Sequence, residues 1–486
     1  MTLRDLHVAE RPSDHSLLAP SAALLLLLLG ATGCGRSGEA TPPAPPAAAS
    51  PAPTPPNVLI WLVDTLRADR LGCYGADRAT SPHYDALAAG GVLVEDCFAA
   101  SNWTQPSVLS ILSGTWPLPF PDDFSGTVPP SLTLGAEWYW EHGWDTAGIT
   151  VTAAVARVFG FDQGCATYEE LDEGLDVMAR KRREGERFSA GRVVDAALDW
   201  LDHGRDPAKP FYLYLHTVEP HMPYEAHPGC FGDQPSAGRL DGSVDVMTRA
   251  LAEKWELGEG ERTFMKDRYD GEVQESDRHF GDLMAGLAAR GLLDDTLLVF
   301  VADHGDEHWE HGTFGHGHRN LHEELLHVPL VLSWPGRLPA GARVPGPARA
   351  VDIMPTLVDL CGLSPLPGAE GRSVAEVLRS VGSLPDQPRF ADRATADDDL
   401  RAVRTGRWLL TVGPRAVDNA LYDLATDPGE LHNLVDGRHP PPADLLRELG
   451  DWQRAEQQRR EALTARPAAA PTPADIEALQ ALGYAR

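Results

Sequence analysis

In the stretch Thr296 to Asn320, TLLVFVADHGDEHWEHGTFGHGHRN, the neighbours Asp303 and His304 follow directly on an apolar run, and Glu307, His308, Glu310, His311, His316 and His318 crowd in after them. A carboxylate oxygen beside an imidazole nitrogen suits a divalent ion. The plain alternative is a solvated polar loop, and the stretch alone does not say which histidines matter. Asn57 to Asp64, NVLIWLVD, repeats the form: six consecutive apolar residues, then a carboxylate. Two acids placed alike at the ends of separate parallel strands can converge on one cation that neither could hold alone. In FAASNWTQPSVLSILSG, Thr104, Pro106 and Ser107 stand just before Val108, Leu109, Ile111 and Leu112, which are spaced as on a helix. A hydroxyl at a helix N-terminus meets the positive dipole end and free N–H groups, which favours an oxyanion. Read locally, a simple N-cap is the better account of Thr104. His221 lies between Pro220 and Pro223 in HTVEPHMPY and is placed to present an imidazole, whereas His216 reads as buried structure and Arg67 with Asp69 as a structural pair.

The elements that must position these residues follow from hydrophobic pattern. Thr296 to Ala302 is apolar at six of seven positions, as expected of a strand buried on both faces of a parallel sheet, whose carboxyl end is where open α/β sheets place ligands. Asn57 to Val63, Phe211 to Leu215 and His327 to Trp334 read as further strands. Ser81 to Ala89 predicts a short helix with Ser81 as N-cap and Pro82 at its first position. Tyr269 to Leu287 predicts a helix packing one face on the sheet, and Ala350 to Leu363 a turn and helix. Beyond about Leu384 the pattern changes to short extended pieces, Arg401 to Thr411 and Ala420 to Leu424, with turns at Gly406 and Asp427-Pro428-Gly429. The fold class expected is α/β: a large mixed, mostly parallel sheet flanked by helices, with a small C-terminal antiparallel subdomain.

The chain has 486 residues, 43% hydrophobic and 23% charged, ordinary values for a globular protein, but its formal charge is −29. That balance argues against nucleic acid as a partner, since a phosphate backbone demands a basic face. Residues 1–34 read as an export leader: Arg4 and Arg11, an apolar core from Ala22 to Leu29, then Ala31-Thr32-Gly33-Cys34, similar to a bacterial lipoprotein cleavage site with Cys34 lipidated. The eight-residue core is too short to span a bilayer. The protein is therefore expected at the bacterial cell envelope, membrane-bound through a lipid anchor only. Residues 35–56 carry eight prolines and form a stiff tether of about 70 Å if extended. Residues 57–384 would be the catalytic domain, 385–440 the antiparallel subdomain and 441–486 a helical tail broken at Ala465 to Pro473. Without Cys34 the cysteines are odd in number, so disulfides are not the main support.

Taken together, VDTLRADRLGCYG, SNWTQPSVLSILSG, HTVEPHMPY, ADHGDEHWEHG with HEELLHVPL, VDIMPTLVDLCGL, LYDLATDPGELHN and LQALGY resemble, in order and approximate spacing, the sulfatase family of the alkaline phosphatase superfamily. The resemblance covers nearly everything from Asn57 onward. It implies metal ligands at Asp64, Asp303 and His304, with Thr65 where a second aspartate is common. It places the nucleophile, usually a cysteine or serine matured to formylglycine, at Thr104; Pro106 and Ser107 keep the motif, but Val108 stands at the arginine position. Threonine carries a β-methyl and cannot become that aldehyde, so a threonine ester must be cleaved by an incoming water or alcohol. A metal touching the Thr104 oxygen must then activate it, as in the one-metal, threonine-using phosphoesterases and phosphoethanolamine transferases of the superfamily. The imidazole leans toward Mn or Zn, the sulfatase resemblance toward Ca. His221 matches a histidine contacting the transferred group, and His316 or His318 could stabilise its oxygens or protonate the leaving group. A lysine and histidine usual after the Gly148 strand are missing from ITVTAA. His308 and His311 read as loop residues, and Asp306 and Glu307 as acids shaping the loop. The activity implied is hydrolysis of a sulfate or phosphate mono- or diester on a small molecule, glycan or lipid. The alternatives are a phosphoryl or phosphoethanolamine-type transferase and a catalytically inactive surface-binding lipoprotein. Specificity would lie in Leu171 to Arg187 and Pro223 to Arg262.

Overall fold

The computed structural model describes residues 55–118, 126–171, 190–235, 238–393, 400–435 and 440–463. The leader, Cys34, the tether up to residue 54, nearly all of Leu171 to Arg187 and the closing LQALGY lie outside them. Among the described residues no helix is long and apolar enough to cross a membrane, and Cys73, Cys97, Cys165, Cys230 and Cys361 are free thiols.

The strands of the main sheet are β1 (Asn57–Val63), β2 (Val92–Phe98), β3 (Asp145–Thr150), β4 (Thr167–Glu170), β5 (Phe211–Thr217), β6 (Thr296–Ala302), β9 (His327–Ser333) and β10 (Ala342–Arg349); β7 (Glu307–His308) and β8 (Phe314–Gly315) make a short hairpin after β6. The order is β10-β2-β9-β6-β1-β5-β3-β4. β1, β5 and β6 are parallel neighbours. Within the sheet β9 runs against the rest, antiparallel to both β2 and β6, so β6 sits between a parallel and an antiparallel partner rather than in a purely parallel setting. Every residue of β1, β5 and β6 is buried, and each fully buried aliphatic side chain there contributes about 1.5–3 kcal/mol. β10 contains Pro345 and Pro347 and lies at the sheet edge, where a missing N–H is tolerated.

The helix Glu259–Ala289 starts earlier than its apolar pattern suggests and buries Met265, Tyr269, Val273, Ser276, Phe280, Leu283 and Leu287, spaced three or four apart on one face. The helix Val244–Ala252 lies within the stretch from Pro223 to Arg262, which is thus not wholly loop. At the helix Pro82–Gly90, Ser81 occupies the N-cap position, but its hydroxyl accepts from the Gly72 N–H (2.8 Å) and hydrogen-bonds Asp85 (3.0 Å). The Asp277 carboxylate takes over the capping, accepting the His83 and Tyr84 N–H groups at 2.9 and 2.8 Å. Toward the C-terminus, β11 (Arg389–Asp392), β12 (Arg401–Arg404), β13 (Trp408–Val412) and β14 (Ala420–Asp423) form a separate four-stranded antiparallel sheet, followed by the helix Ala443–Ala462.

Candidate active site

Strand register brings the first acids together. Val63 is in register with Ala302 of β6 and Thr217 of β5, and the Asp64 N–H extends the ladder by donating to Thr217 O (3.0 Å). Asp64 and Asp303 therefore leave adjacent strands at the same level, both almost fully buried. The backbone turns sharply after Asp64: Thr65 has φ +59°, a left-handed conformation that a β-branched residue adopts only under constraint. The constraint is visible. The Tyr269 hydroxyl donates to Thr65 O (2.7 Å) and accepts from the Arg67 N–H (3.0 Å), while the Thr65 N–H donates to Asp303 Oδ1 (3.1 Å). Arg67 pairs with Asp69 as the sequence suggests, and also reaches Asp306 O and Glu310.

Asp303 Oδ1 also accepts the His304 N–H at 2.8 Å, which leaves Oδ2 without a hydrogen bond and 3.4 Å from His304 Nε2. His304 Nδ1 hydrogen-bonds Gly305 O (2.9 Å), directing Nε2 toward the acids. Asp64 Oδ1 is 3.8 Å from His304 Nε2. Neither Asp64 oxygen has a partner at hydrogen-bonding distance, although the Thr104 hydroxyl is close enough to favour the ionised carboxylate. Burial, reinforced by the Asp303 charge, holds Asp64 well above the usual carboxylate range. Thr104 Oγ1 lies 3.5 Å from His304 Nε2. Thr104 is fully buried and is the first residue of the helix Thr104–Ser113, with Trp103 as N-cap. The N-cap expected from local sequence is therefore displaced by one position, and the hydroxyl faces the acids instead. Ser107 donates to Ser101 O (2.9 Å) and braces the turn. Asn102 donates to the carbonyls of His318 and Asn320 (both 2.8 Å), tying this turn to the histidine loop.

The donor set fits a divalent ion. Ligand atoms of Asp64, Asp303 and His304 lie within 4.8 Å of one another, and Asp64 Oδ1, Asp64 Oδ2 and Asp303 Oδ2 are buried acceptors lacking a hydrogen bond. Unneutralised carboxylates in such surroundings are costly, and a cation removes the cost. A second group, His311, His322 and Glu430, is also close enough for an ion. It is already committed to ion pairs, His311 with Glu324 (2.9 Å) and His322 with Glu430 (2.7 Å). Its two imidazoles stack with centroids 3.6 Å apart and planes 9° from parallel, so their in-plane lone pairs cannot meet on one ion.

The remaining histidines divide. His316 Nδ1 is 2.7 Å from Asp306 Oδ1, and its ring lies 4.5 Å from that of His304 and 4.8 Å from that of His221. Burial, with His304 and His318 nearby, holds His316 well below the usual imidazole range. Asp306, raised by burial, accepts from the Tyr224 hydroxyl with its other oxygen. His221 Nδ1 bonds Met222 O (2.6 Å), and His318 Nε2 bonds Phe314 O (2.6 Å), turning that nitrogen into its own loop. His308, expected as a loop residue, is buried in β7, its ring against Tyr269, and burial holds its imidazole well below the usual pKa range. The sequence places His216 as buried structure, and it is, but gives no sign of its closeness to Asp64. It is fully buried, with Nε2 3.8 Å from Asp64 Oδ2 and Nδ1 2.7 Å from the Tyr214 hydroxyl, and burial pushes it down to about 4.

A sequence model described as Sulfatase matches residues 56–363, and one described as N-sulphoglucosamine sulphohydrolase, C-terminal, matches residues 309–453. The chain is 25% identical over 488 residues to human arylsulfatase A, covering 85% of this chain and 90% of that protein. It is 23% identical over 470 residues to an N-acetylglucosamine-6-O-sulfatase of Bacteroides thetaiotaomicron, covering 78% and 82%. The fold is similar to that of a protein solved in complex with its substrate D-glucosamine-2-N,6-O-disulfate (TM-score 0.66, 19% identity, 84% of this chain and 98% of that one). It is also similar to a phosphonate monoester hydrolase of Agrobacterium radiobacter (TM-score 0.63, 21% identity, 84% and 96%).

Proposed function

Because the chain belongs to the sulfatase family, we propose that it is a metal-dependent ester hydrolase whose Thr104 hydroxyl attacks the sulfur or phosphorus of a sulfate or phosphate ester. One observation carries this reading: the buried Thr104 Oγ1, at a helix N-terminus, stands 3.5 Å from His304 Nε2 beside carboxylate oxygens that have no hydrogen bond of their own. Asp64, Asp303, His304 and the Thr104 oxygen would hold the ion, with Mn or Zn favoured by the imidazole and Ca by the family. Such an ion supplies positive charge that acidifies a hydroxyl and offsets charge on the ester oxygens. The N–H groups of Thr104 and Gln105, at the positive end of the helix dipole, would face the same oxygens, Pro106 having none and that of Ser107 donating to Trp103 O. Thr104 Oγ gives up its proton to solvent and forms its bond to sulfur or phosphorus as the bond to the ester oxygen breaks. His316, neutral and hydrogen-bonded to Asp306, orients the departing group. Protonation of the leaving oxygen then falls to His221 or His318. Water cleaves the Thr104 adduct and restores the hydroxyl.

Threonine cannot release sulfate by collapsing to an aldehyde, and Val108 replaces the arginine of the maturation motif. Both departures favour a phosphate mono- or diester over a sulfate ester, on a small molecule, glycan or lipid. Placement at the cell envelope through lipid on Cys34 belongs to the same proposal and rests on the leader sequence. The test is turnover of aryl phosphate, phosphodiester, phosphonate and sulfate panels by metal-loaded protein lacking the first 34 residues, with Thr104→Ala alongside. Loss of about 10⁴-fold or more in kcat is expected for the variant even at saturating metal, which Asp64, Asp303 and His304 would still hold, more weakly without the Thr104 oxygen. Full activity in Thr104→Ala removes the nucleophile assignment, and no turnover with any substrate or metal removes the hydrolase reading.

A further inference from the structure

Parallel register places His216 level with Leu62, two residues before Asp64. Side chains level with each other on adjacent strands share a face, as do residues two apart on one strand, so His216 and Asp64 emerge on the same side of the sheet. His216 Nε2 and Asp64 Oδ2 face each other across 3.8 Å, and each is buried with no hydrogen bond. Asp64 Oδ1 faces the other way, toward His304 Nε2. The carboxylate is thus divided, one oxygen to each imidazole. The remaining His216 nitrogen, Nδ1, lies 2.7 Å from the Tyr214 hydroxyl, which is 2% exposed. A neutral imidazole has one donor and one acceptor nitrogen. If Nδ1 donated, the phenol proton would be left buried without an acceptor, a cost of about 1–3 kcal/mol. The economical arrangement has Tyr214 donating to Nδ1, which puts the His216 proton on Nε2, aimed at Asp64 Oδ2.

We propose that Tyr214 and His216 form a buried relay that orients Asp64: His216 Nε2–H pins Oδ2 as the gap closes, and Oδ1 is held toward Asp303 and His304. His216 is then a positioning residue, one step behind the ligands. This rests on the assignment of Asp64 as a metal ligand. Partners that orient a ligand in this way typically change metal affinity by about 10–100-fold.

The test titrates metal-free protein with Zn²⁺ against a fluorescent chelator and records the visible absorption of the Co²⁺ form, for wild type, His216→Phe, His216→Gln, Tyr214→Phe and Asp64→Asn. Thermal unfolding of the metal-free proteins reports folding separately. His216→Phe should weaken Zn²⁺ binding about 10–100-fold. His216→Gln, which keeps a donor near Asp64, should recover most of that loss. Tyr214→Phe should weaken binding by a smaller factor, with the Co²⁺ spectrum unchanged because the ligand set is unchanged. Unaltered affinity in His216→Phe overturns the relay. So does a shifted Co²⁺ spectrum in His216→Gln together with undiminished affinity in Tyr214→Phe, which would make His216 itself a ligand. If the wild type binds no Zn²⁺, or Asp64→Asn binds it equally well, the metal site itself is wrong.

Discussion

Replacing Asp64 by asparagine should move stability in opposite directions with and without metal. Ligand atoms of Asp64, Asp303 and His304 lie within 4.8 Å of one another, and two ionised carboxylates at that separation repel by about 3.5 kcal/mol at an effective dielectric of about 20. Asp64→Asn removes the repulsion and leaves an amide whose imperfect pairing costs about 1 kcal/mol. The metal-free variant should therefore gain about 2.5 kcal/mol over metal-free wild type. The sign of the pH dependence follows from the raised folded value of Asp64. The unfolded carboxylate ionises from about pH 4 upward while the folded one keeps its proton, so folding loses stability as pH rises through that interval. The gain in Asp64→Asn is absent near pH 4 and largest once the folded Asp64 ionises. With metal at about a thousandfold over Kd, wild type gains about 4 kcal/mol by mass action, and the variant should lose most of this. The assay is denaturant unfolding at pH 4 and pH 8.5, with chelator or with Zn²⁺ or Mn²⁺. A variant destabilised equally with chelator and with metal would mean that the two acids serve packing and not a cation.

Thr104→Ser keeps the hydroxyl but removes a fully buried methyl. It should cost about 1 kcal/mol in thermal unfolding and leave turnover within about tenfold of wild type. At Gly305 an added Cβ would stand 2.0 Å from the Glu324 carbonyl oxygen and 3.0 Å from Arg67 Cγ. Gly305→Ala should therefore cost about 2–3 kcal/mol and weaken metal binding by displacing His304, readable in the same chelator titration. Burial raises Asp277 to about 6 while it caps the helix Pro82–Gly90. Between pH 3.8 and 6 the unfolded state releases this proton first, so stability falls with rising pH by about 3 kcal/mol at most. Asp277→Asn should flatten that slope in unfolding curves taken from pH 4 to 7.

The strands that deliver Asp64 and Asp303 were legible in the sequence because strands buried on both faces must be continuous apolar runs, and NVLIWLV and TLLVFVA are such runs. β2 (VLVEDCF) was not, since a partly exposed strand loses that signature, and β3 (DTAGIT), short and polar, was placed only through the family resemblance. Two prolines hid β10. The antiparallel sheet near the C-terminus was readable from its turn residues. The order of the motifs was enough to suggest the family, and among the described residues those carrying Asp64, His221 and Asp303 follow directly on β1, β5 and β6, whose places in the sheet depend on chain order.

Side-chain direction was beyond the sequence. Ser81 has the residue type of a cap, yet Asp277, far along the chain, performs the capping. Thr104 has the type of a cap as well, and a one-residue shift of the helix start turns its hydroxyl toward the acids instead. His308 sits among loop residues but is buried against Tyr269. His216 could not be tied to Asp64 from the sequence. Their link depends on the register between β1 and β5, strands some 150 residues apart that share no local signal. Residue type and periodicity thus determined which chemistry the chain carries and on which elements. Which atoms face one another was decided by register and burial, because hydrogen bonds and charges act over a few ångströms in space, whatever the separation along the chain.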